Sequence, residues 1–156
     1  MMVTPTSPRS LSSVSNVTGM NALACVVRFC MRSVVETAVD TYIRASSEHD
    51  PVVRAAMIEA CFAADGRVVT RSREIRGRAA LADEIERLLA NPQLLGVRVL
   101  SVIDAGKTTF RFRSAVEYLD GKVLEFFDAG EVDATGRISV LLAFAGPLTP
   151  LPTVDD

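Results

Sequence analysis

Asp128 is a carboxylate in a stretch that otherwise reads as core. In the run 124–132, strand alternation places Leu124, Phe126, Asp128, Gly130 and Val132 on one face. A carboxylate among large apolar side chains is costly to bury unless it is paired or protonated. Such surroundings raise its pKa and make Asp128 a candidate for donating or shuttling a proton in a pocket. A structural carboxylate bonded to a backbone N–H or to Tyr42 fits the same pattern, and both readings stand at this level. Tyr42 falls on the apolar face of a predicted helix, either as a core residue or with its hydroxyl at a cavity edge. The other reactive residue types are sparse. The single histidine, His49, lies in the polar turn SSEHD and reads as solvated. Three cysteines, Cys25, Cys30 and Cys61, form no CxxC motif and no even set for a disulfide framework. Cys61 beside Phe62 reads as packing. With one histidine, no histidine-based metal site is expected, and no cofactor is implied. The charges between Arg71 and Arg78 read as a solvated rim, with screening of an anionic ligand as the alternative.

The elements that must position these residues follow from periodicity. Val34, Val35, Ala38, Val39 and Tyr42 recur at helical spacing, ending near Ser46. Asp50-Pro51 is an N-cap followed by proline at the first helical position, and Val53, Ala56, Met57 and Ala60 give the second helix an apolar face. Asp65-Gly66 predicts a turn, residues 67–70 a short strand and residues 71–76 a charged loop. The third helix spans about 78–90, with Leu81, Ile85, Leu88 and Leu89 on its apolar side and Asn91-Pro92 as its stop. The rest is strand-like. Residues 97–103 form one run, and residues 108–118 alternate Phe110, Phe112, Ser114 and Val116 against Arg111, Arg113, Ala115 and Glu117. Runs 124–132 and 138–145 complete a meander, with reversals at Asp120-Gly121 and Ala134-Thr135-Gly136. This predicts an α+β fold, three helices packed on a strongly curved antiparallel sheet, a cone with an apolar interior. Phe62, Phe110, Phe112, Ser114, Val116 and Phe126, with Thr70 at the mouth, are the expected lining of its pocket. Leu141 and Ala143 are read as outward-facing.

The stretches TYIRASSEHD, CFAADGRVV, EIRGRAALADEIERLL and FFDAGEVDATGRI, in that order, resemble the nuclear-transport-factor-two-like superfamily. That superfamily includes ketosteroid isomerases, SnoaL-like polyketide cyclases and limonene epoxide hydrolases. The resemblance covers residues 33–146 and speaks to fold more than activity. It implies that Tyr42 and Asp128 match the oxyanion-hole tyrosine and protonated aspartic acid of ketosteroid isomerases. It also sets Thr70 near the position of their general base, and a threonine hydroxyl cannot take a proton from a carbon acid near neutral pH. An epoxide-hydrolase site would need an arginine with aspartates inside the cone, whereas Arg111 and Arg113 alternate outward. SnoaL-like cyclases use one pocket aspartate on an enolisable ester, a role Asp128 matches. The resemblance further implies a homodimer through the outer sheet face.

Bulk properties narrow the partners. The chain has 156 residues, 49% hydrophobic and 23% charged, with a net charge of −2, which suits one globular domain and gives no basic field for nucleic acid. Residues 1–30 begin Ser/Thr/Pro-rich and read as a disordered extension or a start placed too far upstream. Their apolar part is too short to span a bilayer and makes a poor signal peptide, so a cytoplasmic location without membrane attachment is expected. The domain is expected over 31–147, with a flexible tail at 148–156. The expected function is a pocket for a small hydrophobic molecule with isomerase- or cyclase-type proton transfer on Asp128. The alternative is a non-catalytic ligand-binding or association module of the same fold.

Overall fold

Ser33 starts the first helix by a reciprocal capping box: its hydroxyl accepts from the Glu36 N–H at 3.1 Å, and the Glu36 carboxylate accepts from the Ser33 N–H at 2.7 Å. The computed structural model describes residues 32–147. The readings made for residues 1–30 and for the tail from 148 lie outside the described residues. Helix α1 (Val34–Ala45) buries Val35, Ala38 and Val39, while Val34 faces solvent. Helix α2 (Pro51–Cys61) is capped by Asp50, whose carboxylate accepts from the Val52 and Val53 N–H groups.

The buried face of α2 differs from the expected one. It consists of Arg54, Ile58 and Cys61, with Val53 and Ala56 exposed. Arg54 turns inward because its guanidinium Nη1 donates to the Glu48 carbonyl at 2.8 Å and the His49 carbonyl at 3.4 Å, with Glu86 at 3.6 Å. An arginine with satisfied donors belongs to the interior, which hydropathy spacing alone cannot register.

Residues 62–70 form one strand, β1 (Phe62–Thr70), so Asp65-Gly66 is no turn. The pairing of β1 with the last strand shifts between Phe62 and Arg67, a bulge that absorbs these residues. Gly66 is needed there for space, since a Cβ would lie 2.7 Å from the Phe62 ring. The expected charged loop contains strand β2 (Glu74–Arg76), antiparallel to β1, whose charges pair locally as Glu74 with Arg67 and Arg76. Helix α3 (Arg78–Leu89) follows Gly77 at φ +83° and buries Leu81 and Ile85. Then come β3 (Leu94–Val99), β4 (Asp104–Ala105), β5 (Thr109–Tyr118), β6 (Val123–Val132) and β7 (Ile138–Ala145).

The sheet runs β2-β1-β7-β6-β5-β3, with β4 on β5, and is open at β2 and β3. Its pairs are antiparallel except β1 with β7, which run parallel, so the sheet is mixed. Both expected reversals of the meander occur, with Gly121 at φ +83° and Gly136 at φ +78°. The three helices pack on this sheet around Val39, Ile58, Phe62, Ile138 and Leu141. Leu141 is therefore core and Ala143 faces the cavity, neither of them outward as read from alternation. A second register shift, between Glu131 and Val132 against β7, explains it. One extra residue after Ile138 inverts every later side chain of β7.

Candidate active site in the cone

Three elements converge on Asp128. It lies on β6 opposite Phe112 of β5 and Ala143 of β7, in a register set by continuous antiparallel pairing. The diagonal neighbour on β5 is Ser114, whose hydroxyl donates to Asp128 Oδ2 at 2.5 Å. Both are buried, Asp128 at 5% exposure and Ser114 at 7%. Ala143 is small, and beyond it a cavity of about 390 Å³ opens between the sheet and the helices. From α1 it is lined by Tyr42, Ile43 and Ser46, and from α3 by Leu81, Glu84, Ile85 and Leu88. Val68, Thr70, Arg73 and Ile75 come from the β1–β2 hairpin, and Ser114, Val116, Tyr118, Leu124, Phe126 and Asp128 from β5 and β6, with Val97 and Ala143 beside them.

Six of the residues singled out in the sequence, Tyr42, Thr70, Ser114, Val116, Phe126 and Asp128, thus meet around one cavity. Phe62, Phe110 and Phe112 do not line it; they pack in the core with 0–4% exposure. The reason is glycine. Gly130, opposite Phe110 in the register, has no side chain, and a Cβ there would sit 2.6 Å from the Phe110 ring. The ring lies over that bare backbone, with Phe112 stacked 6.1 Å away, and Phe62 occupies the space left by Gly66. The cavity is therefore not packed shut by phenylalanines. Arg111 and Arg113 are exposed and paired to Asp104 and Glu125, outside the cavity as their alternation predicts.

Burial pushes the Asp128 carboxyl up to about 6, partly offset by the Ser114 hydrogen bond. Burial, and after it the charge on Asp128, also raise the Tyr42 phenol, which stays neutral. Burial pushes the Cys61 thiol up to about 12, so it is an inert packing group. Thr70 is engaged in a turn, with its hydroxyl donating to the Arg73 carbonyl at 3.1 Å and accepting from the Arg73 N–H at 3.2 Å. The polar end of the cavity thus offers a neutral phenol and a carboxyl that changes protonation near neutral pH.

Two further charged residues line the cavity, Arg73 and Glu84, of which only Glu84 lies outside the sequence reading. A signal existed for Glu84: it lies between Leu81 and Ile85 and completes a stripe with Leu88, the same anomaly of a carboxylate on an apolar face that marked Asp128. Arg73 belongs to the charged stretch 71–78, read as a rim with an anionic ligand as the alternative, and which of its arginines meets the cavity depends on β2 folding back on β1.

No family model matches the chain, and no curated protein matches it. Solved structures do. A SnoaL-like family protein from Agrobacterium tumefaciens superposes with a TM-score of 0.66 at 22% identity, over 74% of this chain and all of that one. An NTF2-like protein from Exiguobacterium gives 0.54 at 17%, over 72% of this chain and all of the other. An LEH-like epoxide hydrolase from M. tuberculosis gives 0.51 at 20%, over 71% and 77%. The chain has the nuclear-transport-factor-two-like fold. Among the described residues, no helix is long and apolar enough to cross a membrane.

Proposed function

We propose that the cone cavity binds a small hydrophobic molecule and that Asp128 carries out isomerase- or cyclase-type proton transfer on it. The observation that carries this reading is a buried carboxyl, titrating near 6, at the polar end of a largely apolar cavity. As carboxylate, Asp128 takes a proton from the carbon next to a substrate carbonyl. The C–H electron pair moves into the enolate, whose oxygen accepts a hydrogen bond from the Tyr42 phenol. The proton held on Asp128 then returns to a different carbon, so nothing is gained or lost and no second base is needed at Thr70. A carboxyl near 6 suits this work at neutral pH better than an ordinary aspartate, because it is the stronger base. The SnoaL-like and epoxide-hydrolase neighbours support a ligand cavity in this fold and leave the chemistry to the residues.

The test is a thermal-shift titration with 2-naphthol, a planar enolate mimic, on wild type and Asp128→Asn. Wild type should be stabilised with increasing occupancy, and the variant should lose most of that gain. Once a substrate is found among enolisable ketones and esters, unchanged turnover in Asp128→Asn would sink the catalytic reading.

A second reading, a non-catalytic binding or association module, is favoured by one specific observation. Thr70, where related isomerases keep their base, is committed to the turn. Homodimerisation across the outer sheet face belongs to either reading. It is supported by Phe127 and Phe144, register partners on that face that are 46% and 50% exposed.

A further inference from the structure

Arg73 is the one cationic side chain among the described residues that line the cavity, and it is half exposed, so it stands where the cavity meets solvent. Its guanidinium pairs with Glu84 Oε1, tying the β1–β2 hairpin to α3. Glu84 has a second cation within reach: Arg87, one turn on, lies 3.0 Å from Oε2. That contact lacks the alignment of a hydrogen bond, and among the described residues none reaches the buried Oε2. Glu84 thus stands between two cations, with Arg73 on Oε1 and Arg87 beside Oε2. If Arg73 lets go, Arg87 remains within ion-pair distance of Glu84.

We infer that Arg73 anchors a carboxylate on the ligand, exchanging Glu84 for it, so that the ligand is an amphipathic acid. This rests on the reading of the cavity as a ligand site. The apolar body of such a molecule fills the space over Leu81, Ile85 and Phe126, its carbonyl oxygen meets the Tyr42 phenol, the adjacent carbon meets Asp128, and its anionic end meets Arg73. A planar guanidinium matches a carboxylate with two parallel hydrogen bonds. The exchange trades one carboxylate for another at Arg73 and needs no buried charge to go unpaired.

Arg73→Met should fold, since the Thr70 turn uses only the backbone of residue 73 and a half-exposed ion pair adds little stability. The probes are 6-hydroxy-2-naphthoate, its uncharged carboxamide and 2-naphthol, followed by their own fluorescence, which the absence of tryptophan leaves unobscured. Wild type should hold the acid about tenfold tighter than the amide. Arg73→Met should abolish that preference by bringing acid affinity down to that of the amide, Arg73→Lys should keep part of it, and Glu84→Gln should keep or increase it. Equal binding of acid and amide by wild type, or a preference that survives Arg73→Met, overturns the anchor. If 2-naphthol binds in an Asp128-dependent way while the acid gains nothing, the anchor falls and the cavity reading stands. If none of the three binds wild type, the cavity reading has failed and the anchor falls with it.

Discussion

Burial makes Asp128 a stronger base than a free aspartate, and the same burial makes it sensitive to pH as a structural element. Its folded value of about 6 lies above the ordinary 3.8. Between these values the folded state holds more protons than the unfolded chain, so stability falls as pH rises. The loss begins near pH 4, is complete somewhat above pH 6, and amounts to about 3 kcal/mol from the difference in proton affinity. Urea unfolding of wild type from pH 4 to 7.5 should show that decline, and Asp128→Asn should remove this component. A wild type that keeps its stability across the window would mean Asp128 is solvated or paired in the fold. Ser114→Ala should move the carboxyl higher still, because the hydroxyl bond is what lowers it. NMR titration of the Asp128 carboxyl reads this directly. Asp128 could be found in the sequence because its neighbours two residues away on the strand are apolar. Glu84 carries the same signal on a helical period, between Leu81 and Ile85.

Elements were legible where a local signal closes on itself. The cap at Asp50 and the turns at Gly121 and Gly136 act within a few residues, and each appears where its residues predict; the capping box of Ser33 with Glu36 is equally local. The errors lie where a partner on another element or loop decides. Arg54 faces inward because the loop from α1 presents two carbonyls to it, so Arg54→Leu should destabilise by about 1–2 kcal/mol despite its higher hydrophobicity, since part-buried carbonyls lose their donor. A denaturant midpoint close to wild type would show that water replaces the guanidinium. Gly130 is similar: a Cβ would meet the Val140 carbonyl at 2.2 Å and the Phe110 ring at 2.6 Å. Gly130→Ala should cost about 3 kcal/mol or more, because backbone and a core ring must both move. Thermal unfolding compared with Gly121→Ala, whose Cβ would meet open space but at positive φ, separates crowding from turn strain.

For the whole molecule, the bulge between β6 and β7 turns Leu141 into the core and leaves the outer sheet face with Phe127 and Phe144. If that face joins two copies, a charge there should separate them. Phe127→Glu is expected to be monomeric by light scattering at concentrations where wild type is dimeric, with unfolding little changed at the monomer level. A wild type that is itself monomeric at high micromolar concentration would remove the dimer from this proposal.

The sequence by itself determined the helices and their order, the strand-rich second half, the face of β5 and the isolation of Asp128, because caps, turns and periodicity are interactions between near neighbours. The tertiary structure decided the rest. The parallel pairing of β1 with β7 and the meeting of Arg73 with Glu84 join separate elements, both register shifts set which way a strand faces, and the inward turn of Arg54 depends on how the preceding loop folds its carbonyls toward it. One added residue in a strand reverses all that follow it, and no local pattern records where that residue is inserted. The aromatic residues obeyed the same logic: Phe110 and Phe112 take the predicted face, yet glycine on the neighbouring strand drew Phe110 onto the backbone and away from the cavity.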